Sequence, residues 1–182
     1  MEGRSRSDEV DADLVEAFLT ASRALVGVAV RSLNAGDGEV TLPQHRALVL
    51  LAAHGPQRMA DLAALLGVNS STATRQCDRL QRHGLIRRKP SPQDRRAVCV
   101  SLTEAGQELV RQVTAARRAQ ISAILQNMPL RNRKDLVAAL LGFAAAAGEV
   151  PDQNWSLGWG TDTAPDRPSP AAPVPPTRGT VK

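Results

Sequence analysis

The stretch from Met59 to Leu102 constrains the fold more than any other part of the chain. Met59 to Leu66 reads as a short helix closed by Gly67, and Asn69 is placed to cap a second helix running from Ser70 to His83 and stopping at Gly84. Ala73, Cys77 and Leu80 fall at i, i+4 and i+7, which gives that second helix one buried face. Two short helices joined through Gly67-Val68-Asn69, with a small residue where they approach, predict a helix-turn-helix. The period then changes. Leu85 to Lys89 and Ala97 to Leu102 are short β-prone runs, separated by the turn formers of Pro90 to Arg96. The expectation is a hairpin wing with a basic tip.

Helices flank this block on both sides. Asp11 to about Leu33 carries an apolar stripe wider than one face, built from Leu14, Val15, Phe18, Leu19, Leu25, Val26, Ala29, Val30 and Leu33. Thr41 and Gln44 form a capping box for a helix that ends at His54 before Gly55, with Leu48 and Leu51 inward. Thr103 caps a long helix from Glu104 to about Met128, with Leu109, Val113, Ala116, Ile124 and Leu125 inward. Pro129 breaks it, and a last helix runs from about Asn132 to Ala147. Beyond that the composition shifts, because 7 of the chain's 12 prolines lie between Pro151 and Lys182. A disordered, partly polyproline-like tail is expected from Asp162. Trp155 and Trp159 either fold back on the domain or stay exposed, and the sequence leaves both open.

The division expected is therefore a flexible N-terminus (1–10), a dimerisation helix with its connection (11–41), a winged helix-turn-helix unit (42–102), further dimerisation helices (103–148) and a Pro-rich tail (149–182). The fold class is mainly α with a small β-hairpin wing. At 42% apolar residues the chain has enough for a core. Aromatics at 2%, with no Tyr, exclude a stacking platform for single strands. Two Cys cannot build a disulfide framework. The polar opening from Met1 to Asp13 has no signal-peptide core, and no apolar run approaches the ~18 residues of a membrane span. These features predict a cytoplasmic protein with no membrane partner.

Charge is local. Arg75 to Arg96 holds eight Lys and Arg against two Asp, a net +6 that exceeds the +5 of the whole chain. Such a stripe implies a polyanion partner. The outer face of the second helix offers Ser70, Ser71, Thr72 and Thr74, then Arg75, Asp78, Arg79 and Arg82. Small hydroxyls at a helix N-terminus let the backbone approach major-groove base edges, and an Arg one turn later can fork onto a guanine. At the hairpin tip, Asp94-Arg95-Arg96 gains little stability from surface ion pairs worth ~0–1 kcal/mol. An Arg held there suits the minor groove, with Asp94 bracing Arg96. The candidate contacts to duplex DNA are Asn69, Ser70, Ser71, Thr72, Thr74, Arg75, Arg79, Arg82, Arg88, Asp94, Arg95 and Arg96.

From Leu62 to Gly106 the sequence resembles the MarR family of winged helix-turn-helix transcription regulators. The residues that carry the likeness are Leu62 to Arg75, Asp78 to Ile86, the Asp94-Arg95-Arg96 wing, and Val100 to Gly106. The resemblance implies a homodimer on a pseudo-palindromic duplex, usually as a repressor. It places Ser70, Ser71, Thr72, Thr74 and Arg75 on the recognition helix and Asp94 and Arg96 on the wing. It also implies release by a small aromatic effector, for which His45, in the first turn of its helix, and then Phe18 are the candidates. Gln76 departs from the pattern, standing where an apolar residue is common. Neither Cys77, read as a small buried hydrophobe, nor Cys99 matches the family's oxidant-sensing position.

A dimer is expected on physical grounds as well. The winged unit has apolar residues enough for its own core, while nothing else in the chain covers the stripes of the first and last helices. At ~25 cal/mol per Å², leaving them wet is costly, and a second copy covers them about a two-fold axis. No enzyme is expected: His45, His54 and His83 share no spacing typical of a metal or nucleophile site, and no glycine-rich phosphate loop is present. No cofactor and no metal are expected either. The alternative function is a winged-helix protein-docking module.

Overall fold

A computed structural model describes residues 5–34, 40–90, 98–129, 132–151 and 154–155. Among the described residues six helices and three short strands follow in the order α1 (Ser5–Asn34), α2 (Leu42–His54), β1 (Gln57–Arg58), α3 (Met59–Leu66), α4 (Ser70–Arg82), β2 (Ile86–Pro90), β3 (Val98–Leu102), α5 (Glu104–Gln126) and α6 (Arg133–Ala146). The strands form an antiparallel sheet in the order β1-β3-β2. The molecule is mainly helical with a small wing sheet, as expected. Two details differ. α1 begins earlier than Asp11, because its polar first turns carry no apolar stripe to announce them. β1 pairs Gln57 and Arg58 with Val100 and Cys99, and a two-residue strand is too short to show alternation.

Local rules set the boundaries of the central helices. Gln44 Oε1 accepts the Thr41 backbone N–H at 2.8 Å, the return half of a capping box that starts α2. α3 and α4 both end in paired carbonyl caps at a left-handed glycine. Gly67 N–H and Val68 N–H donate to Ala64 and Ala63, and Gly84 N–H and Leu85 N–H donate to Gln81 and Leu80. Gly67 and Gly84 have φ of 65° and 69°, with open space where a Cβ would stand. Backbone conformation alone asks for glycine there. Gly106 is a different case: a Cβ on it would run into the Leu85 carbonyl, so it permits α5 to start tight against the end of α4.

One core lies under the wing. Leu48, Leu51, Leu62, Cys77, Leu80, Ile86, Val100, Leu102 and Val110 bury together, joining α2, α3, α4, the sheet and the first turns of α5. Trp155 joins this core: it folds back and donates from Nε1 to the Val150 carbonyl at 2.8 Å. Trp159 and the expected tail beyond Asp162 lie outside the described residues.

The flanking helices contrast with this core. α6 buries none of its residues, and α1 exposes Leu14, Val15, Leu19, Leu25, Val26 and Val30. On α5, Val113 is buried as expected and Leu109 and Ala116 partly so, but Ile124 and Leu125 are exposed and correct the sequence reading. Residues 122–129 are all exposed, since this end of α5 has run past the winged unit. Val110 takes the inward place instead.

Candidate nucleic-acid interface

α4 is fixed from beneath and open above. Ala73, Cys77 and Leu80 are fully buried, which turns the other face outward. Asn69, Ser70, Ser71, Arg75, Asp78, Arg79 and Arg82 are exposed, and Thr72, Thr74 and Gln76 are half-buried. The first turn is organised by its cap. Asn69 Oδ1 accepts from the Thr72 N–H at 2.8 Å and from the Ser71 hydroxyl at 2.9 Å. Asn69 therefore shapes the helix start, and Ser70 and Ser71 sit at its open N–H end, where an anion is favoured. The Thr74 hydroxyl donates back to the Ser70 carbonyl at 2.8 Å. Arg75 Nη2 donates to Thr72 Oγ1 at 3.3 Å, a weak tether that leaves the guanidinium largely free. Burial raises the Cys77 thiol above its ordinary range, which suits an inert core residue.

The cations do not form one class. Arg75, Arg79 and Arg82 stand exposed on α4, and Arg87 is exposed on β2 with its Nε donating to Ser101 across the strand pair at 3.1 Å. Arg88 is turned the other way and pairs with Asp78 at 2.7 Å on the flank of α4. Arg58, on β1 opposite Cys99, adds an exposed cation beside the wing. Sequence reasoning missed Arg58 because nothing in a two-residue strand signals its place in the sheet. Asp94, Arg95 and Arg96 lie outside the described residues.

A helix-turn-helix with an exposed, cation-bearing second helix and an antiparallel wing is now in view, and the comparisons agree with it. The profile of the MarR family matches residues 40–98. The HTH-type transcriptional repressor MdtR of Bacillus subtilis is 30% identical over 121 residues, 66% of this chain and 78% of MdtR. The crystal structure of RV1404 from Mycobacterium tuberculosis is 44% identical, covers 78% of this chain and 96% of its own, and superposes with a TM-score of 0.73. The chain belongs to the MarR family. That is a family of transcription regulators, not of enzymes. The HTH-type regulator YfiV of Bacillus subtilis is 37% identical over 73 residues, 40% of this chain, and this chain spans about half (46%) of YfiV.

Within this MarR-family chain the two ligand candidates lie in different surroundings. Phe18, on α1, stacks on Phe143 of α6 with ring centroids 4.6 Å apart, so its ring is used in packing. His45 is buried in the first turn of α2, and its Nε2 has no hydrogen-bond partner among the described residues. Burial, and then the charge of Arg117, push its pKa down to about 4. Nearby helices are tied by a polar chain: Arg31 Nε donates to Gln120 Oε1 at 3.0 Å, and Gln120 Nε2 donates to Ser32 Oγ at 3.2 Å. Gln76, the departure from the family pattern, is half-buried, and its Oε1 has no hydrogen-bond partner among the described residues. Among the described residues no group of three or more His, Cys, Asp or Glu gathers to hold a metal, and no helix is long and apolar enough to cross a membrane.

Proposed function

We propose that this chain is a sequence-specific repressor that binds a pseudo-palindromic DNA duplex as a homodimer, with α4 in the major groove and the wing in the minor groove. The observation that carries the reading is the polarity of α4: a fully buried Ala73-Cys77-Leu80 face opposite an exposed Ser70, Ser71 and Arg75. Arg75, Arg79 and Arg82 supply the cations on the helix, and Arg95 and Arg96, with Asp94, supply the wing's contact. The repressor role follows the names of relatives such as MdtR. The homodimer rests on the uncovered apolar faces of α1, α5 and α6, whose burial by a second copy contributes ~25 cal/mol per Å². A small aromatic acid is the effector this reading expects, with His45 the better contact because Phe18 is engaged by Phe143. The site is cytoplasmic on this account.

The test is titration of a duplex recovered by binding selection from a random pool, at several salt concentrations. Neutralising ~6–8 phosphates gives a slope of log K against log[salt] near −5 to −7. Arg75→Ala is expected to cost roughly 1–3 kcal/mol and to relax preference at one base pair per half-site. A flat salt dependence would favour a protein-docking module instead.

A further inference from the structure

Arg88 spends its charge inside the protein. From the first position after Arg87 on β2, its guanidinium lies along one turn of α4. Nη2 is 2.7 Å from Asp78 Oδ1 and 3.3 Å from the Thr74 carbonyl to which it donates, and its charge partly offsets the effect of burial on the Cys77 thiol. Thr74 and Asp78 stand at i and i+4, so one nitrogen of the guanidinium bridges a whole helical turn. The Arg88 side chain is 25% exposed and its Nε is buried. A cation used only to neutralise a phosphate gains nothing from being drawn into a strand–helix seam, where it loses hydration.

The geometry has a mechanical consequence. Ala73, Cys77 and Leu80 set how deep α4 sits, but apolar contacts along one stripe resist rolling about the helix axis poorly, because they are non-directional. A directional, charge-assisted contact on the flank does resist it. Reading a base edge demands that Arg75 be held to within about half an ångström, which a rolling helix cannot provide. We infer that Arg88 and Asp78 form a positioning pair that locks the roll of α4 against β2, and through it the offset between recognition helix and wing. Arg88 is thus a specificity-determining strut and not a phosphate contact. This rests on the duplex-binding reading above.

The two roles separate cleanly by experiment. Arg88→Gln, Asp78→Asn and the double variant are titrated against the selected duplex and against a shuffled duplex of equal composition, over a range of salt. The strut predicts that each single variant loses about tenfold in its preference for the selected over the shuffled duplex and binds the selected duplex more weakly, that the double loses no more than either single, and that the salt slope is unchanged. Asp78→Asn is the telling variant: it removes a negative charge from a DNA-facing helix, so electrostatics alone would tighten binding, whereas the strut predicts weakening. Asp78 is half exposed and its replacement leaves the core untouched, so this variant keeps the test alive if Arg88→Gln unfolds. Equal loss on both duplexes with a slope shallower by about 0.9 in the Arg88 variant would make Arg88 a phosphate contact and overturn the inference. So would unchanged binding in all three. Hydrogen exchange without DNA reads the lock independently: amides of α4 should exchange several-fold faster in Asp78→Asn while those of α3 do not. Faster α4 exchange in a protein whose wild type shows no duplex preference would retain the lock and reject the DNA reading.

Discussion

The winged unit and its flanking helices use similar amounts of apolar sequence to opposite ends. In α2–α4, the sheet and the start of α5, nearly every apolar periodic position finds a partner within the chain, and Leu48, Leu62, Leu80 and Val110 are fully buried. In α6 the equally apolar Val137, Leu140, Leu141 and Phe143 are all more than half exposed. The first region closes by itself, and the second presents apolar side chains that the described residues leave exposed. Hydrophobic periodicity identifies which face of a helix is apolar, but not whether the cover comes from the same chain.

The sharpest way to break that comparison is on α6. Val137→Asp with Leu141→Asp places two charges on the face assigned to the second copy, and burying them unpaired would cost roughly 5 kcal/mol. Sedimentation equilibrium is expected to show dimer for the wild type and monomer for the variant, with the near-ultraviolet signal of Trp155 in the winged core unchanged. A monomeric wild type would show that these faces are covered by something other than a twin.

A smaller effect sits at the seam between the two regions. His45 is neutral in the folded protein down to about pH 4, whereas an unfolded His takes a proton near pH 6.5. Above pH 6.5 neither state binds that proton and His45 adds no pH dependence. Between pH 6.5 and 4 the unfolded state alone gains it, so stability falls with falling pH by about 3 kcal/mol in all. Denaturant titrations across that window should lose this slope in His45→Gln, and an unchanged slope would mean that other groups cause the acid sensitivity.

Smallest is the cap. Asn69→Ala removes the acceptor for the Thr72 N–H and should lower stability by about 1 kcal/mol in thermal unfolding, while fraying the turn that carries Ser70 and Ser71. Asn69→Asp, which keeps an acceptor, should restore most of the loss.

Much of this architecture was legible because it rests on local rules. Gly67, Asn69 and Gly84 bracket α4 by dihedral preference and side-chain capping, and Ala73, Cys77 and Leu80 follow a simple period, so α4 fell within a residue of its expected limits. β1 was not legible, since its pairing with β3 is a tertiary fact. Trp155 could not be placed, because only the tertiary arrangement of the core decides whether it folds back. Arg88 counted as one more cation in a basic run, and its turn toward Asp78 depends on the register of β2 beside α4. Charge can be counted along a sequence, but its direction belongs to the fold.

The most direct measurement is hydroxyl-radical footprinting of the full chain on its selected duplex. Two uncovered helical faces that pair about a two-fold axis should present two copies of α4 to one side of the DNA, protecting two blocks whose centres lie ~34–36 Å, about one helical turn, apart. A single protected block, or uniform protection without register, would contradict the account.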